Sequence, residues 1–184
     1  RASHGASAAA DALESAQSLW GQAHRVKAAT VDLNAVLKAY QALQGREIWK
    51  HDGTFIEKYQ PTFGPGVKER FAFAKTVHDK DLTEQESLCE QAVRHINGLL
   101  ADSSVLIPPT LPGAGLKLDC SPDDMNAFRS KMSASFCLGG LAGVPWITLP
   151  LAEIDGAPLG VSLVSGCGTD AWLLELSKAL VQNR

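Results

Sequence analysis

The sequence predicts an α/β fold in which a mixed sheet is flanked by helices, organised as a single unit over residues 1–184. Segments with apolar residues at helical spacing alternate with short apolar runs that end at proline or at turn residues. The composition is ordinary for a globular protein, with 45% hydrophobic and 20% charged residues. The short apolar runs cluster in the second half of the chain, whereas the first 100 residues have mostly helical patterns.

Apolar spacing predicts three helices in the first part of the chain. The first ends at Gly21 and precedes a short strand at residues 24–29. Asp32 is predicted to cap the second, because a carboxylate can accept the amide N–H groups left open in a first turn. The third follows a loop rich in proline and glycine. The apolar faces are Ala9, Leu13, Ala16, Leu19 and Trp20; Leu33, Val36, Leu37, Tyr40 and Leu43; and Val67, Phe71 and Ala74.

Two later helices are predicted from their first turns. Thr83 and Glu86 have the spacing of a capping box, in which the hydroxyl and the carboxylate each accept a free backbone amide. Ser121 followed by Pro122 is a second start signal, because proline is favoured at the first helical position. The helix that begins there is expected to run towards Cys137.

Three apolar runs predict strands at residues 105–107, 146–149 and 159–164. The last two are expected to pair as a hairpin, because an Asp-Gly turn at residues 155–156 separates them. Thr169 or Asp170 is expected to cap a terminal helix with an apolar face. Its apolar residues are Leu173, Leu174, Leu176 and Leu180. A sheet of three or four strands has bare edges, so we expect the chain to be incomplete.

Charge and composition exclude several classes of protein. The net charge of −3 provides no basic surface for nucleic acid. No apolar run reaches the roughly 18 residues of a membrane span. The chain begins at Arg1 without a methionine or a signal-peptide pattern. Its four cysteines form no Cys-x-x-Cys pair, which favours free thiols in a reducing compartment and therefore the cytoplasm.

Searches for catalytic and metal-binding patterns find none. The segment Gly160-Val-Ser162 lacks the second glycine of a nucleophile elbow and lies in a predicted strand, so Ser162 is expected to be a strand residue. The five histidines never occur at i, i+4 spacing. We therefore predict no catalytic residue, no metal and no cofactor in this chain.

Several segments together resemble the amidase-signature family of amide hydrolases. The resemblance extends over about residues 11–180, and the order and spacing of its motifs make it specific. The matching segments are QGREIW (44–49), GPGVKER (64–70), DSSVLIPPT (102–110), LAGVPWITLP (141–150), GAPLGVSLV (156–164) and DAWLL (170–174).

The resemblance implies a fold and a reaction. Enzymes of this family hydrolyse amides with a serine nucleophile, a second serine that follows a cis peptide bond, and a neutral lysine base, all in the N-terminal half of the domain. Backbone amides of a Gly/Ser-rich segment form the oxyanion hole. No segment of this chain matches that half. The chain therefore resembles the C-terminal part of an amidase, and alone it is expected to be inactive.

The same resemblance indicates which partners and residues matter. The partners it implies are a small amide substrate and the missing N-terminal half of the same protein. Phe136, Cys137 and Trp146 are the candidates for the wall of the substrate pocket, because such walls are mainly apolar and aromatic. Ordinary core packing is the alternative for each. For the whole chain, the alternatives are a non-catalytic amidase-like interaction module and an unrelated α/β binding domain. The partner expectations also include a second copy of this chain in a homodimer.

Overall fold

The computed structural model describes residues 32–101, 104–108, 110–154 and 156–182. The helix predicted to end at Gly21 and the strand predicted at residues 24–29 lie outside these ranges. The described residues fall into two compact units, 32–92 and 93–182. The single α/β unit over residues 1–184 stays a prediction.

The unit at residues 32–92 is helical. It contains α1 (Leu33–Tyr59), α2 (Val67–Val77) and the first part of α3 (Thr83–Leu99). The predicted cap of α1 is confirmed, since the Asn34 amide donates to Asp32 Oδ1 at 2.9 Å. A β carbon added at Gly45 of α1 would lie 3.0 Å from Val77 Cγ2 of α2. This glycine therefore allows the two helices to approach closely.

The capping box predicted at Thr83 and Glu86 is wrong. Asp81 Oδ1 accepts hydrogen bonds from the Thr83 amide at 3.0 Å and from its hydroxyl at 2.6 Å. The Glu86 amide donates to the Leu82 carbonyl instead, at 2.9 Å. The Asp81 carboxylate thus takes the place that the capping box assigns to Glu86, whose side chain accepts from Arg46 instead. The hydrogen bonds from Thr83 lower the pKa of Asp81.

The unit at residues 93–182 contains the sheet. Its further elements are α4 (Pro122–Ala142), β1 (Trp146–Ile154), β2 (Ala157–Val164) and α5 (Asp170–Gln182). The start predicted for α4 is confirmed, because the Asp124 amide donates to Ser121 Oγ at 3.0 Å. The helix continues beyond Cys137 to Ala142 and ends at Gly143, whose φ of 62° favours glycine.

The predicted hairpin is confirmed as an antiparallel pair. Trp146 of β1 lies opposite Val164 of β2, and the register shifts between Leu149 and Ala152. Gly156 has a φ of 76° in the turn, which a glycine adopts at little cost. The strand predicted at residues 105–107 is reduced to one bridge between Leu106 and Val164. Proline at position 108 lacks an N–H group and cannot donate to a longer ladder.

The core of this unit lies between the hairpin and α5. Side chains alternate between the two faces of a strand, so Ile147 and Leu149 face α5 whereas Trp146 and Thr148 lie on the opposite face. The core residues are Leu149, Leu163, Leu173 and Leu180, with Val105, Ile107, Ile147, Leu151 and Leu176 packed around them. The α/β class is therefore confirmed. None of the helices in the described ranges is long and apolar enough to cross a membrane.

Candidate functional site

Two of the three predicted wall residues lie side by side. Phe136 of α4 and Trp146 of β1 have ring centroids 4.8 Å apart and ring planes inclined by 36°. Aromatic pairs favour such offset, tilted arrangements over a face-to-face stack. Both side chains are partly exposed, so the pair presents aromatic surface next to the start of the hairpin.

Gly139 makes room for this pair. It lies one turn after Phe136 on α4, and a β carbon built on it would be 2.6 Å from Trp146 Cε3 and 3.1 Å from Cζ3. Atoms at these distances overlap, so only glycine permits the indole ring to lie against the helix here. The glycine-rich segment after Phe136 thus has a packing role.

The indole nitrogen of Trp146 has no acceptor among the described residues. Its Nε1 atom is buried and has no hydrogen-bond partner in the part of the chain that the structure describes. Buried polar atoms in folded proteins nearly always have a partner. Within the described part of the chain, the Trp146 N–H group is therefore an exception to this pairing.

Cys137 belongs to the buried side of α4. Its side chain is 4% exposed, and its Sγ–H donates to the Ala134 carbonyl at 3.4 Å within the same helix. Cys137 and Phe136 are adjacent in sequence and therefore point about 100° apart around the helix. The Sγ–H hydrogen bond of Cys137 is thus an internal contact of α4, and its side chain is buried.

A hydroxyl cluster lies on the same face of the hairpin as Trp146. Ser162, which is fully buried, has its Oγ 2.7 Å from Thr110 Oγ1 and 3.1 Å from Thr148 Oγ1. Thr148 lies directly opposite Ser162 in the hairpin register. This cluster is absent from the sequence prediction. The Thr148–Ser162 pair follows from the register, but no local pattern indicates Thr110, which is 52 residues from Ser162.

The buried serines of the described residues are bonded to structural partners. Ser162 contacts two threonine hydroxyls, Ser165 accepts from Thr169 Oγ1 at 2.7 Å, and Ser177 donates to the Leu173 carbonyl at 2.7 Å. A serine nucleophile needs a base within hydrogen-bond reach. The expectation that Ser162 is a strand residue is confirmed by its place in β2.

Two titratable groups outside this face have pKa values shifted by burial or by an ion pair. Burial raises the pKa of the Cys89 thiol on α3. On the helical unit, the hydrogen bond and the charge of Lys75 lower the pKa of Glu57, with a smaller contribution from His78. Within the described ranges, no group of three His, Cys, Asp or Glu side chains is placed to hold a metal ion.

The chain is similar in sequence to known amidases. It is 30% identical to Amidase 1 of Arabidopsis thaliana over 148 residues, which are 80% of this chain and 35% of that protein. It is 26% identical over 140 residues to the chloroplastic Outer envelope protein 64 of the same plant, covering 73% of this chain and 23% of the relative. None of the protein-family models searched matches the chain.

Solved structures show the same fold. An amidase crystal structure superposes on 97% of this chain with a TM-score of 0.77 and 20% identity, and the match covers 41% of that amidase. A bacterial aryl acylamidase of the amidase-signature family superposes on 96% with a TM-score of 0.69 and 15% identity, covering 40% of its own chain. The chain spans about a third of the length of Amidase 1. It therefore belongs to the amidase-signature family and carries part of the amidase fold.

Proposed function

We propose that this chain is the C-terminal part of an amidase that hydrolyses a small carboxamide to a carboxylate and ammonia or an amine. The observation that carries the proposal is the unequal coverage of the match with Amidase 1, which includes 80% of this chain but 35% of the relative. A chain that matches only about a third of an amidase supplies part of the fold rather than a whole enzyme. The missing N-terminal half of the same protein is its proposed partner.

The proposed reaction proceeds through an acyl-enzyme. A serine hydroxyl outside this chain attacks the amide carbonyl, its proton passes to the base, and the leaving nitrogen departs with a proton. Water then attacks the ester, which releases the carboxylate and restores the serine. The bonding of Ser162, Ser165 and Ser177 to structural partners supports a nucleophile outside the described residues.

We assign the Phe136–Trp146 pair to the wall of the substrate pocket. Its partly exposed aromatic surface suits the apolar part of a substrate. The buried Trp146 N–H offers one donor for an acceptor atom at that wall. Cys137 supports the wall from the buried side of α4, and no catalytic role is proposed for it.

A non-catalytic interaction module is the second candidate. It is favoured by a specific relative, the chloroplastic Outer envelope protein 64, whose name describes an envelope protein and not an enzyme. For either function we propose the cytoplasm as the compartment, since all four cysteines are free thiols.

A chimera separates the two functions. The 148-residue matched segment of Arabidopsis Amidase 1 is replaced by this chain, and hydrolysis of a panel of small carboxamides is measured by ammonia release. An amidase part should support turnover in the chimera, with a Trp146→Ala variant raising KM more than it lowers kcat. A folded chimera without turnover would favour the interaction module.

A further inference from the structure

α5 carries more apolar surface than the hairpin covers. Successive residues of a helix are about 100° apart, so its apolar side chains span an arc of roughly 200°. Around the helix they follow the order Trp172, Leu176, Leu180, Leu173, Val181 and Leu174. The buried Ser177 interrupts this arc between Leu173 and Val181. A helix that is apolar over more than half of its circumference is usually buried on more than one side.

Only the middle of this apolar arc is covered. Leu173 and Leu180 are 2% and 8% exposed where they pack on the hairpin. The residues at the two borders of the arc remain open, with exposed fractions of 41% for Trp172, 53% for Leu174 and 50% for Val181. We call these three the border residues.

The remaining strip of the helix is polar. Glu175 and Lys178 form an ion pair at 2.6 Å, and both side chains are well exposed. This strip covers the remaining roughly 160° of the circumference and separates the two borders on the side away from the hairpin. The helix thus has one covered apolar surface, one polar strip and two uncovered apolar borders.

We infer that the border residues dock the remaining part of an amidase-type domain, which packs around both sides of α5. This inference rests on the proposed function, in which the chain is one part of a larger amidase. The fold match includes 97% of this chain but only 41% of the amidase structure, so more than half of that molecule lies outside the match. That further part of the domain is the partner of the border residues.

The geometry favours this occupant over a second copy of the chain. Trp172 lies on one side of the helix and Leu174 with Val181 on the other, roughly 160–180° apart around the axis. A flat surface cannot contact both borders at once, whereas segments of one domain can enclose a helix from two sides. A stable dimer also buries about 800 Å² on each partner, and three separated side chains provide too little continuous surface.

Co-expression tests the docking surface. This chain is produced together with the part of Arabidopsis Amidase 1 outside the match, and the complex is measured by size exclusion with light scattering and by titration. We expect a one-to-one complex. Leu174→Ser with Val181→Ser, and separately Trp172→Ser, should each weaken binding at least tenfold. The matched pair Glu175→Ser with Lys178→Ser should change binding less than twofold, and circular dichroism should show equal helix content in all variants.

Three results would overturn the inference. These are the absence of a complex with the unchanged chain, border variants that bind as tightly as the unchanged chain, and a homodimer that the border variants abolish. Ammonia release from the same mixtures is scored separately. A border-dependent complex without hydrolysis contradicts the proposed function and keeps the docking surface. Hydrolysis that the border variants leave unchanged contradicts the docking surface and keeps the function.

Discussion

Gly139 and Trp146 are in direct contact, and the contact depends on the missing side chain of the glycine. The α carbon of Gly139 lies so close to the indole ring that an added β carbon would be 2.6 Å from Cε3. The indole ring also contacts the ring of Phe136, and the two ring centroids are 4.8 Å apart. The position of Trp146, and with it the proposed wall, therefore depends on this glycine.

Gly139→Ala should destabilise the protein by about 1–3 kcal/mol, the usual cost of overpacking. The ring has to move or the helix has to shift, and either change outweighs the better helix propensity of alanine. Gly98→Ala is the matched control, because Gly98 is also helical and nothing lies within 4 Å of its added β carbon. It should gain up to about 1 kcal/mol. Urea unfolding measures both, and equal stability of the two variants would refute the contact.

Ser162→Ala should cost about 1–3 kcal/mol in the free energy of unfolding. Ser162 is fully buried and bonds to two hydroxyls, so its loss leaves the buried Thr110 hydroxyl without this partner. Thr148→Val is the control: Thr148 is exposed, and the Ser162–Thr110 bond remains. That change should cost less than about 1 kcal/mol. Thermal and urea unfolding measure the loss of stability in both variants. A larger loss for Thr148→Val than for Ser162→Ala would contradict this prediction.

Lys75→Met should raise the pKa of Glu57 towards its ordinary value. Lys75 Nζ donates to Glu57 Oε1 at 2.8 Å, and that bond and its charge lower the pKa. Because the pKa is lowered in the folded state, the stabilisation is present above the unfolded pKa and is lost as the pH falls through the folded pKa. Carbon-13 NMR titration of the Glu57 carboxyl measures the shift.

Lys58→Met is the control for that titration. Lys58 is adjacent to Glu57 in sequence, but its Nζ lies over the Tyr59 ring, 5.0 Å from the centroid. Its removal should leave the pKa of Glu57 close to the value in the unchanged protein. Equal shifts in the two variants would show that net charge, and not the Lys75 contact, sets the pKa.

The four thiols should react with iodoacetamide in a fixed order. Cys167 is exposed and should be alkylated first, followed by the partly exposed Cys120. Cys89 and Cys137 are each 4% exposed, and burial also raises the pKa of Cys89, which reduces its thiolate fraction. Mass spectrometry of timed samples gives the order. Early labelling of Cys89 in folded protein would contradict its burial.

Local signals in the sequence were enough to predict the hairpin and two helix starts. Asp32 and Ser121 cap α1 and α4 because their side chains act on amides two or three residues away. The turn predicted from Asp155-Gly156 likewise lies between two strands that are neighbours in sequence and that pair in the structure. Each of these features needs only a few adjacent residues, so the sequence contains all that determines it.

Features that depend on competing or distant groups were missed. The capping box at Thr83 does not form, because Asp81 accepts the Thr83 amide in place of Glu86. The Glu86 side chain binds Arg46 from another helix instead. Thr110 joins the hydroxyl cluster through a contact with Ser162 across 52 positions. Phe136 and Trp146 were proposed together, but their ring contact depends on Gly139, whose role becomes visible only when α4 and β1 are packed.

This chain carries part of an amidase fold, and we propose that the nucleophile lies elsewhere in the protein. Ammonia release from simple carboxamides by the purified chain alone tests this proposal. We expect release at the rate of the buffer. Turnover above that rate, abolished by a single serine substitution in this chain, would place the nucleophile within these 184 residues and refute the proposal.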